Sequence, residues 1–179
     1  IAVFSTEQVE DVVENRLLPA LGDGSGKIVL CMSTCDPDQV AALARRVIPR
    51  GIRYLDVPVS GTSDQVRRGD GVALIGGDVA IADEVKDVLD ALFARRFHIG
   101  DVGDGGRAKL AVNLILGLNR LALAEGLVFA ERLGLDPAAF LDVARGSASY
   151  SQVMETKGPK MVQGDFSPEG RVRQTLKDA

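Results

Sequence analysis

Residues 100–133 read GDVGDGGRAKLAVNLILGLNRLALAEGLVFAERL, and this stretch decides the fold. From about Gly105 to Leu133 the apolar residues recur at helical spacing with no proline. At 1.5 Å rise per residue that predicts one helix roughly 40 Å long. Such a helix is too long for an ordinary crossover between parallel strands. It reads as a spine that leaves a sheet domain and enters a helical one. Gly134-Leu135 ends it. Asp136-Pro137 then opens another helix to about Arg145, with proline at the first helical position. Gly146 to Ser149 breaks that helix.

Upstream of the spine, short apolar runs alternate with helical patterns. Ile1 to Phe4 is predicted as a buried strand. Ser5 and Gln8 form a capping box that opens a helix to about Arg16. Lys27 to Met32 is a second strand, and Asp36-Pro37 opens a helix to about Ile48. Arg53 to Val57, Val72 to Ile75 and Arg96 to Ile99 are further strands, and Val79 to Leu92 is one amphipathic helix. Strands alternating with helices predict βαβ units in a mostly parallel sheet. The expected class is therefore α/β. Residues 1–103 form part of a Rossmann-like, doubly wound parallel sheet. Residues 104–179 form the long helix and part of an all-α domain. The chain opens at Ile1 inside an apolar run, which reads as the interior of a domain.

Composition narrows the function classes. Apolar residues make up 46% of the 179 and aromatics only 4%, with no Trp. The core must be Val, Leu, Ile and Ala, as in a parallel sheet covered by helices. The net charge of −4 is spread along the chain, which argues against a nucleic-acid surface. A small anionic substrate needs only one or two local cations and stays open. Two cysteines (Cys31, Cys35) and one histidine (His98) are too few for a structural metal site. The cysteine count also argues against a disulfide framework and for a reducing cytoplasm. No stretch reads as a signal peptide or as long and apolar enough to span a bilayer, so no membrane partner is expected.

Two stretches could carry chemistry. In Asp56-Val-Pro-Val-Ser60-Gly61-Thr62 a strand runs into a small-residue loop and then a short helix. Backbone N–H groups at such a turn can cradle a carboxylate, and Ser60 adds a hydroxyl. Taken alone, an ordinary strand-to-helix turn explains the stretch as well. The second is Gly100-x-x-Gly103-x-Gly105-x-x-x-Lys109-x-x-x-Asn113. The glycines allow close backbone approach at the start of the long helix. Lys109 and Asn113 share one helix face among small or apolar neighbours. A lysine desolvated there is shifted towards the working pH range and can exchange a proton with a substrate oxygen. An isolated helix lysine is usually a solvated charge; the three glycines and the asparagine at fixed spacing favour the chemical reading.

In order and separation these stretches resemble the substrate-binding and catalytic signatures of the β-hydroxyacid dehydrogenase family, which includes 3-hydroxyisobutyrate dehydrogenase and tartronate semialdehyde reductase. The resemblance covers essentially the whole chain. It implies an oxidoreductase that moves hydride between NAD or NADP and a small 3-hydroxy acid or semialdehyde. It implies Lys109 as general acid–base residue, Asn113 as its positioning partner, and Ser60, Gly61 and Thr62 as holders of the substrate carboxylate. Thr34, in Met32-Ser33-Thr34, would contact the cofactor. Val3 and Phe4 would stand where the family has a Leu-Pro pair near the nicotinamide ribose. Lys177, in Leu176-Lys177-Asp178, would reach the cofactor–substrate region, with a plain surface lysine as the alternative. It also implies a homo-oligomer formed through the helical domain.

Three departures bear on this. Thr62 stands where the family commonly has a second glycine. Residues 1–179 contain no G-x-G-x-x-G loop opening a βαβ turn, and Gly103-x-Gly105 is no substitute because it leads into the long helix. The family's final helices are absent as well. The sequence is thus expected to be an internal segment that binds NAD(P) poorly by itself. Two other readings stay open: an imine reductase on the same architecture, and a non-catalytic assembly module using Leu114, Leu118, Leu121 and Leu127. His98 has no carboxylate partner in sequence and reads as a packed or surface histidine. No nucleophile elbow is present.

Overall fold

The structure is a computed structural model, and it describes residues 1–22 and 26–168 together with Val172 and Leu176. The chain forms two compact units, Ile1–Ala111 and Val112–Ala179.

The first unit is built on a five-stranded sheet. The strands are β1 (Lys27–Cys31), β2 (Ile52–Asp56), β3 (Val59–Ser60), β4 (Val72–Gly76) and β5 (Arg95–Gly100). β1 and β2 are parallel in register from Lys27↔Ile52 to Cys31↔Asp56, and β4 and β5 are parallel from Val72↔Arg95. The α/β class holds. The sheet is nevertheless mixed, because the two parallel pairs run in opposite senses. β2 meets β4 antiparallel at Asp56↔Gly76, and β3 continues along β4 at Val59↔Ala73 and Ser60↔Val72. Pro58, which lacks an N–H, separates β2 from β3, while its carbonyl still accepts from Leu74 N at 3.1 Å.

Helices flank the strands. Thr6–Glu10 is α1, and its capping box is formed as the sequence predicts: Ser5 Oγ accepts from Gln8 N, and the Gln8 side chain returns to the Ser5 backbone. The helix does not stop near Arg16. It widens into a π-helical run, Asp11–Leu17, and resumes as α2 (Leu18–Leu21). Pro19 explains the widening, since a proline ring and its missing N–H do not fit an ordinary α-helical interior. α3 (Pro37–Val47) is capped by Asp36, whose carboxylate accepts from Asp38 N and Gln39 N, and it passes into a 3-10 turn, Ile48–Arg50. A short helix, α4 (Ser63–Arg67), lies between β3 and β4. The single helix expected over Val79–Leu92 is two, α5 (Val79–Glu84) and α6 (Lys86–Leu92), broken at Val85. The apolar stripe Ala82, Val85, Leu89 runs through the break, so periodicity could not reveal it. Ile1–Phe4 is not a strand. Only Ile1 pairs with β1, through its nitrogen to Leu30 O and its carbonyl from Met32 N; the chain then turns onto the Ser33 side chain.

Two clusters form the core of this unit. Val9, Val13, Val29, Val40, Leu43 and Ile52 belong to one, and Leu55, Val57, Ala73, Ile75, Leu89 and Phe93 to the other. As composition required, both are largely aliphatic.

The long helix is α7, Asp104–Arg132. In the second unit it contributes Leu123 and Leu127 to a core with Leu141, Ala144, Val153 and Met154. These come from α8 (Pro137–Arg145) and α9 (Gln152–Thr156), and α10 (Gly158–Gln163) follows. Asp136 caps α8 and Pro137 opens it, as expected. One expectation fails here. By length and composition α7 is apolar enough to cross a membrane: only Arg120 and Glu125 carry charge between Leu110 and Val128. Leu114, Ile115, Leu118, Leu121 and Phe129 on it are exposed.

Candidate active site

Few polar or charged side chains are buried among the described residues: Thr6, Ser33, Asp56 and Lys109. All four lie in the first unit: Ser33 just after β1, Asp56 at the end of β2, Lys109 near the start of α7, and Thr6 at the start of α1, bonded to the loop after β1. Open α/β sheets place their ligands at strand ends of this kind.

Lys109 is only 7% exposed. Its surroundings follow from how α7 begins. The carboxylate of Asp56, at the end of β2, accepts hydrogen bonds at Oδ2 from Gly103 N (3.1 Å) and Gly106 N (3.0 Å). A helix cannot satisfy its own first N–H groups, and here a strand supplies the acceptor. The approach is close enough to need glycine. A Cβ on Gly105 would lie 2.5 Å from the Leu74 carbonyl oxygen and closer still to Asp56 Oδ1, and one on Gly76 would lie 2.6 Å from the Asp101 carbonyl oxygen. Gly103 has φ +103°, a left-handed backbone that other residues rarely adopt. Burial pushes the Asp56 carboxyl up to about 6, against the two N–H bonds that pull it down. Asp56 Oδ1 has no hydrogen-bond partner. On the outer side, Arg107 joins Asp104 of the same turn (2.7 Å) to Asp38 of α3 (2.6 Å).

The segments expected to meet the cofactor come together in part. Ser33 Oγ accepts from Val3 N at 2.8 Å and donates to Val3 O at 2.9 Å, which ties the Val3–Phe4 turn to the loop carrying Thr34. Thr6 Oγ1 accepts from Asp36 N at 3.0 Å and closes the same loop from the other side. Phe4 is 36% exposed, and Thr34 is half-buried. Phe4 and Thr34 thus stand on the two segments that the Val3–Ser33 bonds join. Cys31 and Cys35 bracket this loop as buried free thiols. A hydrogen bond from Cys35 draws the Cys31 thiol down to about 7, against its burial.

The loop expected to hold a carboxylate is different in character. Ser60 ends β3, Gly61 has φ +150°, and Thr62 caps α4. The backbone of Thr62 is committed locally, its N–H donating to Gln65 Oε1 at 2.8 Å, while its hydroxyl oxygen accepts from Gln65 N at 3.3 Å and keeps its own proton to donate. Asn113 stands four residues beyond Lys109 on α7, in the second unit. Lys177 lies outside the described residues. His98 is exposed on β5, with Nε2 2.7 Å from the Gly77 carbonyl oxygen, as a surface histidine would be. No group of three or more His, Cys, Asp or Glu side chains that could hold a metal occurs among the described residues.

Sequence reasoning missed Asp56 and Ser33. Asp56 was visible as a carboxylate ending an apolar strand, an unusual place for a charge unless something there is bonded to it. Ser33 carried no comparable signal.

Comparison with known proteins adds the following. Residues 1–100 match the family model described as NAD binding domain of 6-phosphogluconate dehydrogenase. Residues 103–179 match that described as NAD-binding of NADP-dependent 3-hydroxyisobutyrate dehydrogenase. The chain is 33% identical over 178 residues to the 2-hydroxy-3-oxopropionate reductase of Escherichia coli, covering 99% of this chain and 61% of that protein. A 3-hydroxyisobutyrate dehydrogenase structure from Salmonella typhimurium superposes with a TM-score of 0.81 at 27% identity, covering 99% of this chain and 62% of that one. An imine reductase from Pseudomonas sp. shares the fold at TM-score 0.70 and 22% identity, with 94% and 59% covered. The chain thus spans about three fifths of the length of these relatives.

Proposed function

This chain belongs to the β-hydroxyacid dehydrogenase family, and from that premise we propose that the protein carrying it interconverts a small 3-hydroxy acid and the corresponding semialdehyde with NAD or NADP. The observation that carries the reading is Lys109. An amine buried to 7% exposure, one turn into a helix seated on the strand ends, is an uncommon placement for a lysine and puts its proton beside the strand ends where open α/β sheets bind ligands. In the oxidising direction the Lys109 Nζ takes the hydroxyl proton of the substrate. In the reducing direction it returns that proton to the carbonyl oxygen. The dinucleotide, when bound, supplies or accepts the hydride. Val3, Phe4 and Thr34 would hold its nicotinamide–ribose end, and Lys177 would reach the same region.

Asn113 orients the substrate oxygen or the amine. The substrate carboxylate is received by Ser60 and Gly61. Thr62 fixes the turn through its cap on α4, with its N–H engaged by Gln65, and offers the carboxylate its hydroxyl proton. The exposed leucines of α7 suit a second copy of the chain or the rest of the same protein. Two free buried thiols suit a reducing cytoplasm.

Lys109→Ala is the decisive variant. It is expected to lower kcat by on the order of 10²–10⁴-fold while the dinucleotide Kd changes much less. Near-normal turnover would sink the assignment. A panel of semialdehydes assayed beside cyclic imines separates this reading from an imine reductase, which would act on the imines alone.

A further inference from the structure

We propose that Asp56 is the positioning residue for Lys109: through the two N–H bonds it accepts, it seats the first turn of α7 on the ends of β2 and β4 and so sets where the amine stands. The inference rests on the functional reading above only for its effect on turnover; its effect on the lysine itself does not depend on that reading.

Three observations carry it. The first is the pair of bonds to Gly103 N and Gly106 N, which join residues 47 and 50 positions apart in sequence. They bring the end of a central strand to the start of the helix, and a negative carboxylate there is favoured by the helix dipole. The second is the absence of slack. Beta carbons at Gly76, Gly103 or Gly105 would each run into backbone, so the turn fits the strand ends in one seating. The third is the helical register. Lys109 follows Gly105 by four residues and Gly106 by three, on the face that Asp56 and Leu74 approach. Whatever fixes Gly105 and Gly106 therefore fixes the base of the lysine. An ångström of drift at that base is enough to cost proton transfer dearly.

The charges around Asp56 are few. From α7 they are Asp104 and Arg107, with Lys109 one turn on. From its own strand the neighbour is Tyr54, and from α3 it is Asp38, already paired with Arg107. β4, Val72–Gly76, presents no titratable group. The carboxylate is thus held mainly by backbone, as a positioning group should be.

The test compares Asp56→Ala and Asp56→Asn with the wild-type protein. The first readout is acetylation of Lys109 by acetic anhydride, resolved by mass spectrometry and normalised to the exposed Lys86; it needs no turnover. In Asp56→Ala, Lys109 labelling is expected to rise by on the order of tenfold as the amine is released towards solvent. In Asp56→Asn, whose side-chain oxygen can still accept both N–H groups, labelling stays near wild type. The second readout is kinetic. Asp56→Ala loses about a hundredfold in kcat with KM little changed, and Asp56→Asn recovers most of it. A folded Asp56→Ala with wild-type labelling overturns the proposal, whatever kcat does. Should Asp56→Ala not fold, Asp56→Asn decides: wild-type labelling supports the proposal, and labelling that approaches Lys86 overturns it. If the wild-type protein turns over neither hydroxy acid nor semialdehyde, the functional reading fails, while the labelling still decides the role of Asp56.

Discussion

The two stretches of α7 are one helix under opposite packing regimes. In its first turn, a Cβ added at Gly105 or Gly106 would meet Asp56, the Leu74 carbonyl or the Pro37 ring at or inside van der Waals distance. Farther along, a Cβ on Gly117 would meet nothing within 4 Å beyond the helix's own backbone, and one on Gly126 would only graze Phe140 at 3.9 Å. The residue type is the same and its reason is not. At the start, glycine lets a backbone come close enough to be bonded by a buried carboxylate. In the middle, glycine fills no such need in this chain and only lowers helix propensity. A glycine in a motif is therefore informative only once its surroundings are known. The Lys109 end of α7 is held by close contacts, and the exposed middle has few of them.

The strongest way to break this contrast is Gly105→Ala. The added methyl must displace either the Leu74 backbone or the Asp56 carboxylate, and neither is the free end of a flexible side chain. The expected cost is about 3 kcal/mol or more, at the upper end for overpacking by one methyl. Lys109 should become exposed to labelling in the same variant. Chemical denaturation reads the first and mass spectrometry the second. A change below about 1 kcal/mol would mean that α7 is not tightly seated on the strand ends.

The second test uses the charge at that seat. Asp56 is 3% exposed, and its carboxyl is raised from 3.8 to about 6, chiefly by burial. A carboxyl raised in the folded state binds its proton more tightly there than in the unfolded chain. Its contribution to stability is complete below about pH 4 and is lost as pH rises through 6. Asp56→Asn cannot titrate. Each tenfold difference in proton affinity between the folded and unfolded chain is worth roughly 1.4 kcal/mol. The stability of wild type relative to this variant should therefore fall by about 2–3 kcal/mol between pH 4 and pH 7. Denaturation curves of both proteins across that range measure the difference. A flat difference would show that the helix start and its N–H groups compensate the burial fully.

The contrast also explains what the sequence could and could not disclose. Features set by a few adjacent residues were readable: the Ser5–Gln8 capping box, the Asp36-Pro37 and Asp136-Pro137 helix starts, and the long helix itself. That Lys109 is desolvated was readable, because its glycines and its small and apolar neighbours lie close by in sequence. Features set by distant partners were not. Nothing near Ile1–Phe4 shows that Ser33 will intercept its backbone after one residue of pairing. The antiparallel return of β3 along β4 depends on where Pro58 falls relative to a strand that follows it. The break at Val85 leaves the apolar stripe intact, and the role of Asp56 lies in bonds to residues about 50 positions later. The carboxylate loop shows the same limit from the other side. Its sequence offers Thr62 as a donor, while the fold spends its N–H on Gln65 and uses its hydroxyl oxygen to cap α4.

The smallest expected effect has the opposite sign. Gly117 lies in the interior of α7 with open space where a Cβ would be, so Gly117→Ala adds a methyl without a clash. It also restricts the unfolded chain, and alanine is the better helix former by about 0.8–1 kcal/mol. On this chain alone the variant should therefore gain up to about 1 kcal/mol, read as a raised denaturation midpoint with unchanged slope. One substitution, glycine to alanine, twelve positions apart on one helix, would then destabilise at Gly105 and stabilise at Gly117. If Gly117→Ala destabilises instead, the middle of α7 is also closely packed, against a neighbour that its exposed leucines meet only in solution. Sedimentation at several protein concentrations would then show whether that neighbour is a second copy of the chain.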